Sequence, residues 1–312
     1  MSLLGKEFGG SETISIVIPT KNEGNAIEEC LTSILNQSVS PFEVIIVDGG
    51  SSDNTLDLAR KFKVKIIHEG SFSSPANARN LGVENAKGSI VLIIDADVVL
   101  QEDCLKYAIE CFKDKDVIVV NPSGVYHAHS YLEAIQLKWD RGMRRPSALA
   151  FFFRKGVFEE VKFDTALGFG EDYDFNNKLE KKFKDFRIVV AKNCRVLYHA
   201  PHSINEFVAR YTWWGRTFKA YLIKHFCGKT LLNMCSLLLP TAVIVVSITT
   251  LFFSQLLPVL FVLSLLLFAK ILIVSIRSRF CLFIHFILFD IFRSFLFTIG
   301  IIQSFFVKRK GR

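Results

Sequence analysis

Two groups of carboxylates in this chain are spaced to do chemistry. The first is Asp95-Ala96-Asp97, which directly follows the apolar run Ser89–Ile94. Carboxylates at i and i+2, just past a strand end, converge on one divalent cation. Mg²⁺ or Mn²⁺ held by such oxygens bridges readily to a diphosphate. The cation would neutralise charge developing on a departing nucleoside diphosphate. The second group is Gly170-Glu171-Asp172-Tyr173-Asp174. A sugar hydroxyl has a pKa far above neutral, so its attack on an anomeric carbon is helped by a carboxylate that takes its proton. At a helix start the helix dipole helps to keep such a carboxylate ionised. A solvated loop and a solvated helix start are the plainer readings of the two groups.

The elements that must position these residues are legible upstream. Thr13–Pro19, Phe42–Asp48, Val64–His68 and Ser89–Ile94 are short, β-branched apolar runs. Helical patterns separate them over Gly24–Gln37, Leu56–Phe62 and Pro75–Ala86. Continuous apolar strands alternating with helices specify a mostly parallel sheet with helices on both faces. Ligands of such sheets bind beyond the carboxyl ends of the strands, where Asp48 and Asp95 stand. Farther on, Ala148–Phe153, Arg187–Val190 and Arg195–His199 read as strands. Gly170 opens a helix to about Phe183, and Ser203–Phe226 is a long aromatic and basic helix.

IVIPTKNE (Ile16–Glu23), VIIVDGGSSDNT (Val44–Thr55), ARNLG (Ala78–Gly82) with Ala86-Lys87-Gly88, and then Asp95–Asp97 occur in that order. Together they resemble the inverting family-2 glycosyltransferases, from about Thr13 to Gly215. The resemblance implies an α/β, Rossmann-like glycosyltransferase-A fold and a nucleoside-diphosphate sugar donor. It places Pro19, Thr20, Asn22 and Glu23 in the nucleotide pocket, Asp48 by the base or ribose, and Arg79 near the nucleotide. Asp95 and Asp97 then handle ribose and metal, and the Glu171-Asp172 motif supplies the catalytic base at Asp172. Plainer roles exist: Asn22 could cap the first helix, Asp48 could cap a turn, and Arg79 could pair on a helix surface. His199 or His202 could be a metal or diphosphate contact. Arg210 or Arg216 could bind phosphate; membrane anchoring is the alternative for these four. Gly49 stands where many members carry a second acidic residue, which leaves the nucleotide base open.

Composition divides the chain. It has 312 residues, half of them hydrophobic, and a net charge of +8; mean hydropathy is +0.33. Thr230–Ala269 contains no Asp, Glu, Lys, Arg or His. As helix that run would reach about 60 Å, two hydrocarbon thicknesses. The expected arrangement is therefore a catalytic domain (1–202), an amphipathic juxtamembrane helix (203–229), a two-helix transmembrane hairpin (230–279), and an interfacial helix with a basic tail (280–312). His285, Asp290, Arg293, Gln303 and Ser304 share an arc of about 140° in that last helix, which favours the interface; a third span packed against the hairpin is the alternative. Basic residues at both outer ends of the hairpin put the catalytic domain in the cytoplasm of a multi-pass membrane protein. They also suggest membrane lipids rather than nucleic acid as the basic partner, since no basic-aromatic recognition motif is present. The seven cysteines include no C-x-x-C pair, so free thiols are expected.

Two departures refine the acceptor. Val98-Val99-Leu100 follows Asp97 where dolichyl-phosphate sugar synthases carry Gln-His-Pro-Pro, and the Glu-Asp motif is present. A phosphate acceptor needs no base, whereas a sugar hydroxyl does. The expected acceptor is thus a hydroxyl of a lipid-linked saccharide or membrane-associated polysaccharide. A polyprenyl- or dolichyl-phosphate sugar synthase is the alternative. A sugar-nucleotide pyrophosphorylase would want a glycine-rich phosphate loop after the first strand. A non-catalytic nucleotide-sugar-binding scaffold would not need Asp95, Asp97 and Asp172.

Overall fold

A computed structural model of the chain describes residues 12–70, 73–127, 150–199, 203–225, 228–250, 254–278 and 283–306. The first half is β1 (Ile14–Thr20), α1 (Ile27–Leu35), β2 (Glu43–Asp48), α2 (Thr55–Ala59), β3 (Lys65–His68), α3 (Pro75–Asn85) and β4 (Ile90–Ile94). Then come β5 (Val98–Leu100), α4 (Cys104–Phe112), β6 (Val117–His127), β7 (Ala150–Arg154), α5 (Val157–Glu160), α6 (Glu171–Lys182) and β8 (Arg187–His199). Four longer helical segments close the chain: α7 (Ile204–Lys224), α8 (Gly228–Thr250), α9 (Leu257–Ser278) and α10 (Phe283–Phe306).

Among the described residues the strands form one sheet in the order β3-β2-β1-β4-β7-β6-β8-β5. The four early strands are parallel, in keeping with their largely apolar sequences. Alternate residues feed two cores: Ile16, Ile18, Ile46 and Leu92 pack to one side, and Val17, Ile45, Val47 and Val91 to the other. β7 runs antiparallel to β4 and to β6. β5 and α4 stand outside the sequence-based assignment, because three residues and a helix of nine carry too little periodicity. The two strands expected at 187–199 are one, with residues 192–194 bulged out between the pairs Pro122–Ala191 and Ser123–Arg195.

Cys194, at the edge of that bulge, is bonded to Cys104 at the start of α4, with 4.2 Å between the Cα atoms. This corrects the expectation of free thiols for that pair. Ninety residues separate the two cysteines in sequence, and only the packing of α4 on β8 brings them together. Cys30, Cys111 and Cys235 are free.

The C-terminal helices correct a second expectation. Among the described residues no helix is long and apolar enough to cross a membrane, so the transmembrane hairpin and the multi-pass placement do not stand. An uncharged run is not a uniformly apolar helix: α8 contains Pro240, Thr241, Ser247, Thr249 and Thr250, and α9 contains Lys270. Polar contacts knit these helices to one another. Lys270 lies 2.6 Å from Asp290, Asp290 lies 2.6 Å from Arg293, and the Thr241 and Ser294 hydroxyls are 2.7 Å apart. Asp290, Arg293 and Ser294 are buried, so the Asp290–Arg293 part of the polar arc turns into the bundle rather than outward.

α10 packs on α7 at backbone contact. A Cβ on Gly215 would lie 2.0 Å from the Phe297 carbonyl, and one on Gly300 would lie 2.1 Å from that of Thr212. Phe207 stacks on Phe292, and Phe218 meets Phe297 edge-on. Gly300→Val therefore forces two backbones apart, and a loss of about 1–3 kcal/mol is expected. A fall in Tm on thermal denaturation checks it; an unchanged Tm would show that the helices do not meet this closely.

The other end of α7 is pinned to α6. Lys224 and His225 lie 2.8 and 3.0 Å from Asp174, which Lys178 also approaches at 2.7 Å. Burial opposes ionisation of Asp174, but hydrogen bonds from Lys178 and Lys224 outweigh it and hold the carboxyl below its ordinary 3.8. A carboxyl lowered on folding adds stability above its unfolded pKa and loses it as pH falls through the folded value. Asp174→Asn should thus melt lower than wild type at neutral pH, and the gap should close in melts run below about pH 4.

Candidate active site

Strand ends and helix starts converge on one carboxylate cluster. Asp95 leaves β4, and the three-residue β5 receives the chain after Asp97. β5 pairs antiparallel with β8, Val98 opposite Tyr198, which sets Tyr198 beside Asp97. α3 begins with Ser74 as N-cap, its hydroxyl accepting from the Asn77 amide at 3.1 Å, followed by Pro75. One turn on, α3 carries Arg79 inward. α6 begins after Gly170, whose φ of +75° favours glycine. A Cβ there would also meet the Tyr221 ring at 2.5 Å. That tight turn delivers Glu171 and Asp172 at the helix start.

Arg79 joins the two groups singled out by their spacing. Its Nη2 lies 3.0 Å from Asp95 Oδ1 and its Nη1 lies 2.5 Å from Glu171 Oε1. Its guanidinium also sits 5.7 Å from the Phe163 ring centre. Burial alone would weaken its charge, but Asp95 and Glu171 more than compensate and raise its pKa. A second guanidinium does similar work: Arg210 Nη2 lies 3.3 Å from Asp97 Oδ2, and its Nη1 donates to the Tyr198 hydroxyl. Glu171 is therefore held in an ion pair. Asp172 is half-buried and accepts from the Tyr173 amide at 2.8 Å.

Burial and mutual charge set the carboxylates of the cluster apart. Burial pushes Glu23 up to about 8, with Asp97 and Asp95 adding to the shift and Arg210 opposing it. Burial pushes Asp97 up to about 6; Arg210 opposes and Asp95 adds. Burial also raises Glu171 and Asp172, against the pull of Arg79. Crowded, desolvated carboxylates of this kind gather at sites that bind or transform charged ligands.

The other expected residues fall into place as follows. Asn22, in the left-handed region at φ +57°, accepts from the Ser52 amide at 2.8 Å. It therefore ties the loop after β1 to the loop after β2 rather than capping α1. The Glu23 amide donates to Thr55 Oγ1 at 2.8 Å in the same way. Asp48 is buried and caps the turn after β2, accepting from the Gly50 and Ser51 amides at 3.1 Å. Thr20 pairs with Asp48 across the parallel strands, and Pro19 precedes it in β1. Arg216 is exposed on α7, away from the cluster. His202 and the side chain of His199 lie outside the described residues. Tyr198 and Glu206, which adds to the shift of Glu23, were not among the sequence candidates; neither belongs to a local pattern of charged residues.

Among the described residues no three His, Cys, Asp or Glu side chains form a metal-binding group. The pair Asp95 and Asp97 still fits a magnesium- or manganese-type ion, which is typically held by one or two carboxylates plus substrate phosphates. The two carboxylates offer oxygen donors, and they already attract two cationic side chains.

The chain matches the family model Glycosyl transferase family 2 over residues 15–162, a span that contains Asp95 and Asp97. It is 31% identical over 207 residues to a PGL/p-HBAD biosynthesis glycosyltransferase of Mycobacterium bovis, covering 62% of this chain and 77% of that protein. A glycosyltransferase of Streptococcus pneumoniae is 34% identical over 115 residues, 35% of this chain and only 38% of that protein. A dolichyl N-acetyl-alpha-D-glucosaminyl phosphate 3-beta-D-2,3-diacetamido-2,3-dideoxy-beta-D-glucuronosyltransferase of Methanococcus voltae is 26% identical over 225 residues, 62% of this chain and 69% of that protein. Among solved structures, glucosyl-3-phosphoglycerate synthase from Mycobacterium tuberculosis, in complex with Mn²⁺, UDP and phosphoglyceric acid, matches at a TM-score of 0.51 and 18% identity over 70% of this chain and 81% of that one. That likeness bears on the fold and supports the glycosyltransferase-A type of α/β sheet. With the strand-end carboxylates inside the matched span and a relative matched over 77% of its length, the chain belongs to glycosyltransferase family 2.

Proposed function

We propose that this chain moves a sugar, with inversion, from a nucleoside-diphosphate sugar to a hydroxyl of a lipid-linked saccharide. The observation that carries the reading is Arg79, whose guanidinium spans from Asp95 to Glu171. It puts Asp172 beside the strand-end carboxylates, so the base and the donor's diphosphate share one cleft. In this reading Glu23, Asp95 and the loops tied by Asn22 and Asp48 line the donor side. Asp95 and Asp97 would hold Mg²⁺ or Mn²⁺, which when bound supplies charge neutralisation at the diphosphate.

Asp172 takes the acceptor proton. Glu171 is unsuited to that task because Arg79 occupies it, whereas Asp172 keeps a carboxylate oxygen for a ligand. Burial raises its pKa, which makes it a stronger proton acceptor while it is ionised. One base on one face suffices for a single in-line displacement, and hence inversion. The acceptor class rests on the need for a base and on the Methanococcus relative, whose acceptor is a dolichyl-linked sugar.

Asp172→Asn keeps the shape but removes the proton acceptor, and should lower transfer on the order of 10²–10⁴-fold. Donor affinity, measured by calorimetry, should stay near wild type. A variant that transfers at near wild-type rate would place the base elsewhere and bring the polyprenyl-phosphate acceptor forward. An α-linked donor should yield a β-linked product by NMR; a retained α linkage would rule out the single displacement.

A further inference from the structure

The two arginines of the cluster are bound in the same divided way. Arg79 gives Nη1 to Glu171 and Nη2 to Asp95. Arg210 gives Nη1 to Tyr198 and Nη2 to Asp97. Each guanidinium thus has one anchor outside the aspartate pair and one arm on it. The Asp97 contact is the longer of the two ion pairs, at 3.3 Å. Arg79 is buried, and among the described residues its Nε has no hydrogen-bond partner, so this guanidinium is not saturated by the partners described.

We propose that Arg79 and Arg210 stand in for the divalent cation in the ligand-free chain, and that cation entry converts them into the diphosphate-binding groups. The proposal rests on the glycosyltransferase reading and deepens it by assigning an order of binding. A dication at Asp95 and Asp97 outcompetes the single charges now held there. Each guanidinium stays anchored through Nη1, at Glu171 or at Tyr198, so the freed Nη2 arms swing little and stay beside the aspartate pair. Planar guanidiniums donate strongly to phosphate oxygens. Without the cation, the carboxylates both neutralise the arginines and repel a diphosphate. The cation therefore creates the anion site as well as contributing to it, and nucleotide binds after it.

The test uses the purified full-length chain and Mn²⁺ alone, with free Mn²⁺ followed by electron paramagnetic resonance. Removing a competing cation should tighten Mn²⁺ binding: Arg210→Gln is expected to bind Mn²⁺ on the order of tenfold more tightly than wild type. In saturating Mn²⁺ the same variant should bind UDP or GDP on the order of tenfold more weakly, because a charge-assisted phosphate contact is lost. A residue that merely supports the fold would weaken both. Arg210→Met serves if the glutamine variant does not fold; it too removes the charge while keeping an apolar stem, so shifts of the same signs are expected. Unchanged or weaker Mn²⁺ binding by these variants would overturn the proposal. So would wild-type protein that binds neither nucleotide more tightly with Mn²⁺ than without. Sugar transfer by wild type is assayed separately: transfer without the opposed shifts sinks only the exchange, and the opposed shifts without transfer to any hydroxyl acceptor sink only the glycosyltransferase reading.

Discussion

Arg79 is the group on which the geometry of the cleft depends. It reaches the cleft from α3, packed against the early parallel strands, and it touches one carboxylate from β4 and one from α6. Those two elements lie 76 residues apart in sequence, from Asp95 to Glu171, and otherwise belong to different halves of the sheet. A buried guanidinium is tolerated only when its charge is compensated, so burial of Arg79 requires both carboxylates nearby. The same requirement runs the other way. Glu171 and Asp95 are held close to each other, against repulsion, because the arginine lies between them.

Compensation of this sort spreads through the cluster. Glu23 and Asp97 lie where burial resists their ionisation, with the Asp95 charge adding to that cost, and Arg210 relieves part of it at both. Arg210 comes from α7, so the stability of the cluster passes to a helix outside the sheet. α7 is clamped along its length: Gly215 meets α10 at backbone contact, and Lys224 and His225 reach Asp174 on α6. Helices α8–α10 thus bear on the site through the position of α7, and among the described residues they add none of their own to the carboxylate cluster.

Much of this arrangement was legible in the sequence, and the reasons it was are physical. Fully apolar runs such as Ile90–Ile94 admit one explanation, a strand covered on both faces, and the aspartates that end them had to emerge at the ligand edge. Helix α3 is expected over Pro75–Ala86, and α6 is marked by its acidic first turn. What escaped depended on tertiary pairing. Tyr198 matters because β5 sets it beside Asp97, yet β5 is too short to carry a period. The Cys104–Cys194 bond depends on a bulge that no local pattern signals. The uncharged run near the C-terminus misled for a related reason. Absence of charge there said nothing of Pro240 or of the Thr241–Ser294 contact, and Asp290 and Arg293, read as an outward polar stripe, satisfy each other inside the bundle.

The division of labour within the acidic pair follows from the same accounting of charge. Glu171 and Asp172 are neighbours at one helix start, and burial raises both. Only Glu171 is taken up by Arg79, since successive side chains of a helix point about 100° apart. The paired carboxylate becomes part of the scaffold, and its neighbour is left half-buried with a raised pKa and a free oxygen. A sequence motif of two acids therefore resolves into one held in an ion pair and one left outside it, and the choice is made by which of them the arginine of α3 reaches.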